Sequence, residues 1–302
     1  MNWRALDLNL LVVFDAVAQD RSVTRAAQRL GMTQTAISHA LGRLRQALKD
    51  ELFLRTPAGM EPTPHARMLI APVRAALQGL YGALESAEGF DPAVSERMFR
   101  IAVDNRAALV LVAPLTSAAR AIAPRVRLDV RPSGTLDLPD LLDSGDLDLA
   151  IGSLAAPADR FADRSLFRDH FVALLRRGHD AAGGSGAIAP ETLAALPHLS
   201  ISSTGEPTDF VDAALQELGL ARTIVLRAPL LAAAAALLDS DMVAVISERA
   251  ARAFAQYLPL AVRDLPFPSP EVPTAALWHR RFDAAPAHRW LRGIVGRVAH
   301  AI

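Results

Sequence analysis

Residues 22–41, SVTRAAQRLGMTQTAISHAL, hold the densest run of side chains able to touch another molecule. On a helix turning about 100° per residue, Gln34, Thr35, Ser38, His39, Gly42 and Arg45 fall on one arc, and Ala36, Ile37, Ala40, Leu41 and Leu44 on the other. The glutamine amide matches adenine in a bidentate pair, the hydroxyls of Thr35 and Ser38 donate or accept at base edges, and His39 and Arg45 suit guanine or phosphate. Charge points the same way. Residues 21–49 contain Arg21, Arg25, Arg29, Arg43, Arg45 and Lys49 but no Asp or Glu, a local +6 in a chain whose 32 basic and 32 acidic residues cancel. Such a patch attracts phosphates and positions a reading helix in the major groove. The predicted partner is double-stranded DNA.

Bond-making chemistry has little support. No G-x-S-x-G, Walker A or G-x-G-x-x-G pattern occurs, and GGSG at 183–186 lacks the strand and helix start of a phosphate loop, so it reads as a flexible loop. The absence of cysteine removes thiolate catalysis, disulfides and thiolate-bound zinc. Among the eight histidines there is no H-E-x-x-H pair, and His279 and His288 fit packing in an aromatic-rich C-terminal stretch. No enzyme activity, metal site or cofactor is expected.

The reading arc needs a scaffold, and the same run supplies one. Ala27 is small enough for a helix crossing, Gly31 suits a turn at positive φ, and Ile37 locks the next helix, the spacing of a helix-turn-helix. A merely solvated three-helix surface would show the polar arc but not this turn spacing and basic bias together. A first helix over 6–19, a second capped by Ser22 through Leu30 and a third capped by Thr33 are predicted. A strand at 52–54, a Pro-Ala-Gly turn and a return at Met60 complete a winged arrangement.

Thr63 and Pro64 then open a long helix, which Pro72 is expected to kink or delay. Along it Ile70, Val73, Leu77, Leu80 and Leu84 are spaced three, four, three and four residues apart, the rhythm of a coiled-coil dimer seam. An amphipathic helix packed on its own domain would show the same rhythm.

At 302 residues the chain exceeds one typical domain of about 150, and with 51% hydrophobic and 21% charged residues it is globular in composition. From residue 99, strand-like FRIAVDN, VRLDVRP and DLDLAIG alternate with helices. After an extended segment at 165–176, HLSISS, TIVLRAP and MVAVISE repeat the pattern, and TAALWHR and a final helix follow. Two α/β lobes fit this grammar better than one sheet. We expect domains at 1–63, 64–92 and 93–302, with lobe I about 96–172 and 270–302 and lobe II about 173–269. No run reaches the roughly eighteen apolar residues that span a bilayer. The apolar run 8–14 sits between Asp7 and Asp15 without a signal peptide's basic region or cleavage site, so a cytoplasmic protein is expected.

Residues 7–66, from DLNLLVVFDAV through TAISHALGRLRQALKDELFLRTPAGMEPTPHA, resemble the N-terminal winged helix-turn-helix of LysR-type transcriptional regulators, particularly the branch beginning near DLNLL. LDSGDLDLAIG, LFRDHFVALLRRGH and LWHRRFDAAPAHRWLR are similar to parts of that family's effector domain. The resemblance implies a linker helix, two Rossmann-like lobes akin to type 2 periplasmic binding proteins, a homodimer or homotetramer, and a small-molecule effector between the lobes. It implies DNA contacts at Gln34, Thr35, Ser38 and His39, and from the wing at Arg55; Arg43 and Arg45 add basic contacts. Thr35 departs from the proline often found there, which bears on base preference.

Strand ends facing an interlobe cleft offer Asp104, Asn105, Arg106, Arg131, Ser133, Ser153, Ser202, Ser203 and Thr204 as effector contacts. Arg106, beside a helix start, favours a carboxylate guest, while an internal Asp104–Arg106 pair would favour an uncharged one. The competing class is a solute-binding receptor without a DNA role, against which the DNA-reading segment argues.

Overall fold

The computed structural model describes residues 7–184, 186–201 and 209–302, with only the backbone at 78 and 81–88. Contacts divide the chain into two compact units, Met1–Gly89 with Pro139–Asp146, and Phe90–Leu138 with Leu147–Ile302. The first holds α1 (Asn9–Asp20), α2 (Val23–Leu30), α3 (Gln34–Leu48), a hairpin of β1 (Phe53–Thr56) and β2 (Gly59–Pro62), and the long α4 (Pro64–Glu88).

Local chemistry sets these boundaries. Leu10, Val13, Phe14 and Val17 recur on one face of α1 and are buried. Ser22 Oγ accepts from Arg25 N at 3.3 Å to start α2, Gly31 ends it at φ 65°, and Thr33 Oγ1 accepts from Ala36 N at 3.1 Å to start α3. Ile37, Leu41 and Leu44 seal α3 to the core, where Phe14 and Phe53 pack with ring centroids 5.3 Å apart. Two expectations shift. Helix α1 begins at Asn9, where Asp7 Oδ1 accepts from the Asn9 amide at 3.0 Å, and not at residue 6. The hairpin begins at Phe53 because Leu52, at φ 61° and fully buried, turns into the core first.

Gly59 fixes where the hairpin sits. A Cβ there would lie 2.5 Å from the Arg21 carbonyl oxygen, which also accepts from Met60 N at 2.9 Å. Only glycine permits that approach, so the wing is anchored on the α1–α2 junction. Helix α4 starts at Pro64 as expected, with Thr63 Oγ1 accepting from Ala66 N at 3.0 Å. It is not delayed by Pro72, which is exposed within the continuous helix and forgoes one N–H bond there.

In the second unit β3 (Met98–Val103), α5 (Asn105–Ile122) and the parallel β4 (Arg127–Pro132) form a βαβ unit; the chain then passes through α6 (Leu138–Ser144), which the contacts assign to the first unit from Pro139 onward, and re-enters with β5 (Leu149–Gly152). Next come β6 (Phe161–Asp169), β7 (Phe171–Arg176), α7 (Pro190–Ala195), β8 (Pro197–Ile201) and α8 (Asp209–Glu217). The chain ends with β9 (Thr223–Ala228), α9 (Leu230–Leu238), β10 (Val243–Ser247), α10 (Glu248–Tyr257), β11 (Leu260–Arg263), β12 (Val272–His279) and α11 (Pro286–Ala301).

Two five-stranded sheets result, ordered β4-β3-β5-β12-β6 and β11-β7-β10-β8-β9. In each, four strands run one way and one runs against them, β12 in the first sheet and β7 in the second. Both faces of the second sheet are covered: along β7, Val172 and Leu174 enter one core while Phe171, Ala173 and Leu175 enter another. The expected extended segment is thus two strands in different sheets, separated by His170 alone. The chain crosses between lobes there and returns between Arg263 and Val272. The GGSG loop is less loose than expected, because Arg263 donates to the carbonyls of Ala182 at 3.0 Å and Gly186 at 2.9 Å. Among the described residues no helix is long and apolar enough to cross a membrane.

Candidate nucleic-acid interface and interlobe cleft

With its apolar stripe buried, α3 leaves Gln34, Thr35, Ser38, His39 and Arg43 exposed. Between α3 and the wing lies a groove of about 730 Å³ lined by Gln34, Ser38, Arg45 and Arg55, together with Thr24 and Thr56. Gln34, Ser38 and Arg45 are four and seven residues apart, one stripe of the helix. Thr35, His39 and Arg43 lie outside this lining; His39 and Arg43 face a second groove with α1. Thr24 and Thr56 escaped the sequence reading because neither stands on the recognition arc.

The cations are not equivalent. Arg45, expected to reach DNA, points its guanidinium at the wing, with Nε donating to Glu51 O at 2.7 Å and Nη2 to Phe53 O at 3.3 Å. Arg29 meets Asp20 at 3.2 Å, and Arg25 Nε donates to the Asp20 carbonyl at 3.1 Å, so both arginines fold onto the end of α1. Arg43 pairs with Asp7 at 3.3 Å but stays 62% exposed. Arg55, on β1, is exposed beside the groove.

The seam residues divide along α4. Ile70 and Val73 pack against the winged core, Leu77 is 7% exposed and Leu80 is 46% exposed; the side chain of Leu84 lies outside the described residues. Arg74, almost fully buried on the same helix, holds Asp15 of α1 through a 2.7 Å ion pair.

In the second unit a cleft of about 430 Å³ opens between the two sheets. Asp104, Asn105, Arg106, Ser133 and Ser153 line it, as the strand-end argument predicts. Arg131 does not: on edge strand β4 its guanidinium grips Asp129 at 2.6 Å, two residues away on the same strand face. Ser202, Ser203 and Thr204 lie outside the described residues. The Asp104 carboxylate caps α5, accepting from Ala107 N at 2.8 Å, and also accepts from Ser153 N at 3.2 Å and Arg106 Nη2 at 3.0 Å. Sequence reasoning missed the apolar wall of Phe171, Leu230 and Val272, whose strands and helix read only as core.

Two histidines serve packing, as expected. His279 Nδ1 accepts from Arg281 N at 3.1 Å. His288 is fully buried on Phe282, with Nε2 donating to the Asp148 carbonyl and Nδ1 accepting from Arg292, each at 2.8 Å. Burial holds its imidazole neutral, pushed down to about 4. Among the described residues Asp169, His170 and Glu248 form the trio spaced for a metal ion. Asp169 accepts from Arg249 N at 3.2 Å at the start of α10, and Glu248 pairs with Arg252 at 2.5 Å, so helix capping and an ion pair account for both carboxylates.

The description "Bacterial regulatory helix-turn-helix protein, lysR family" matches residues 8–67, and "LysR substrate binding domain" matches residues 93–299. The chain is 35% identical to the HTH-type transcriptional activator NagR of Ralstonia sp, covering 97% of each chain. It is 34% identical to the HTH-type transcriptional activator NahR of Pseudomonas putida, covering 98% of each. Among solved structures, the probable transcriptional regulator PA0477 from Pseudomonas aeruginosa aligns over 97% of both chains with a TM-score of 0.73 and 35% identity.

Proposed function

The chain belongs to the LysR family of bacterial transcriptional regulators, DNA-binding proteins with an effector-binding domain, and from that premise we propose how its own residues divide the work. Gln34 and Ser38 read bases, with Thr35 and His39 beside them, while Arg55 and Arg43 meet phosphates. The observation that carries this reading is the groove in which Gln34 and Ser38 on α3 stand exposed opposite Arg55 on the wing. A helix in the major groove with a cation reaching the flanking backbone is the docking that this shape suits. Arg45 acts indirectly by holding the wing.

The proposed domains are 1–63 for DNA, 64–92 for pairing with a second copy, and 93–302 for the effector. Exposed Leu80 supports pairing along the outer part of α4. A small molecule between the lobes acts through unequal affinity for two arrangements of the oligomer, since equal affinity would shift nothing. No catalytic step is assigned to the chain, consistent with relatives named as transcriptional activators. We infer a cytoplasmic location from the DNA partner.

Selection from a random duplex pool followed by footprinting tests the reading. The expected result is an enriched interrupted dyad with two protected half-sites on one face of the duplex. A pool that never enriches would return the chain to the class of solute receptors, which share the two-lobe architecture.

A further inference from the structure

The interlobe cleft limits the charge of what it can hold. Asp104, Arg106 and Glu271 are the charged side chains among its described lining residues. Arg106, 12% exposed, already donates to Asp104 at 3.0 Å, and Glu271 is paired with Arg168 at 2.6 Å. Asp104 is not free to leave, because two backbone N–H groups hold it as the cap of α5 and as the anchor of Ser153. A guest carboxylate drawn to Arg106 would therefore stand beside a fixed carboxylate in a partly desolvated site, where like charges repel far more than in water. The other cation expected from the sequence, Arg131, is outside the lining and bound to Asp129.

What the cleft does offer is neutral. Phe171, Leu230 and Val272 form an apolar wall, each at least nine-tenths buried, and Asn105, Ser133 and Ser153 supply amide and hydroxyl groups. We propose that the effector is an uncharged amphipathic molecule, an apolar ring or chain bearing hydroxyl, carbonyl or amide groups, and not a free carboxylate. Of the two guests that the sequence leaves open, a carboxylate at Arg106 or an uncharged molecule beside an internal Asp104–Arg106 pair, this takes the second, and it rests on the reading of the cleft as the effector site. An apolar pocket with a few placed polar groups suits such a guest.

The test uses the full chain and a library of single-ring fragments, each present as acid, primary amide and alcohol, screened by thermal melting and then calorimetry. Amides and alcohols should stabilise the protein and their matched acids should not. Asp104→Asn keeps a side chain that can cap α5 but removes the fixed carboxylate that a guest carboxylate would meet, so acids should gain roughly ten-fold in affinity in that variant. Acids that bind the parent at least as well as their amides, acids that gain nothing from Asp104→Asn, or a library with no neutral binder overturn the proposal. Ser153→Trp and Leu230→Trp, checked for a cooperative melt, separate the two ideas. If acids bind and either tryptophan abolishes binding, only the charge class falls; if binders ignore both, the cleft reading falls too.

Discussion

Arg45 gives its guanidinium to carbonyl oxygens of Glu51 and Phe53, whereas Arg55 leaves its own in solvent beside the same groove. Replacing each by alanine should therefore separate fold from recognition. Arg45→Ala should destabilise the winged domain by about 1–3 kcal/mol in denaturant titrations, the range for charge-assisted hydrogen bonds. Arg55→Ala should leave the melt unchanged, weaken DNA binding uniformly across sequences and lower the salt slope by about one. Gln34→Ala and Ser38→Ala should cost roughly 1–3 kcal/mol each and relax discrimination at particular bases. Unchanged operator affinity in both would move the reading face elsewhere on α3. His288 supplies a pH-dependent counterpart. Its pKa falls from 6.5 to about 4 in the fold, so between those values the unfolded chain binds the proton and the folded chain does not. Stability from this group is complete above pH 6.5 and is lost as pH falls toward 4, on the order of 3 kcal/mol. Burial pushes the neighbouring Asp148 carboxyl the other way, which opposes the loss at the acid end of the window. Stability measured at pH 7 and pH 5 should show a drop that His288→Phe lacks.

Helix α4 changes role along its length. Its first turns belong to the winged domain through Ala66, Ile70 and Val73, and Arg74 ties it to α1. Leu77 is buried within the chain and Leu80 is exposed, although both fit one heptad rhythm. Leu77→Asp should therefore unfold the domain, because a charge would lose its water without a partner. Leu80→Asp should leave the monomer's melt intact and break pairing between copies. Sedimentation of the Leu80 variant decides: the parent's mass at equal concentration would assign the rhythm to packing alone. The wing poses a similar problem of contact at short range. A methyl group at Gly59 would meet the Arg21 carbonyl at 2.5 Å, so Gly59→Ala should lower the melting temperature and weaken DNA binding together by moving the hairpin.

At the scale of the whole chain, the second unit owns its cores. Trp278, Leu291 and Ile294 pack with Phe99 and Ile101 in one lobe, and Leu199, Ile246 and Phe254 form another core in the second. The residues between Gly89 and Met98 contain neither helix nor strand. Limited proteolysis should cut there first and release a C-terminal fragment that melts cooperatively but does not retard DNA. A fragment that melts without cooperativity would show that the first unit is needed for the second to fold.

Short-range order was legible in the chain because caps, turns and periodicity act between near neighbours. Ser22, Gly31, Thr33 and the Ile37–Leu41–Leu44 stripe specify the helix-turn-helix by themselves, and strand and helix patterns name the α/β lobes. Asp104, Asn105, Arg106, Ser133 and Ser153 could be placed at a cleft because strand ends in such sheets face one side. Pairings between distant residues were decided only in three dimensions. That Arg45 turns to the wing, that Leu77 is spent inside its own domain, and that Arg131 leaves the cleft for Asp129 depend on where β1, α1 and β4 finally lie. The apolar wall was hidden for a related reason: Phe171, Leu230 and Val272 have the composition of core, and only the crossing of the chain at His170 and before Val272 turns that core into the lining of a site. A charge or an apolar side chain states what it can do; the tertiary fold selects which neighbour it does it with.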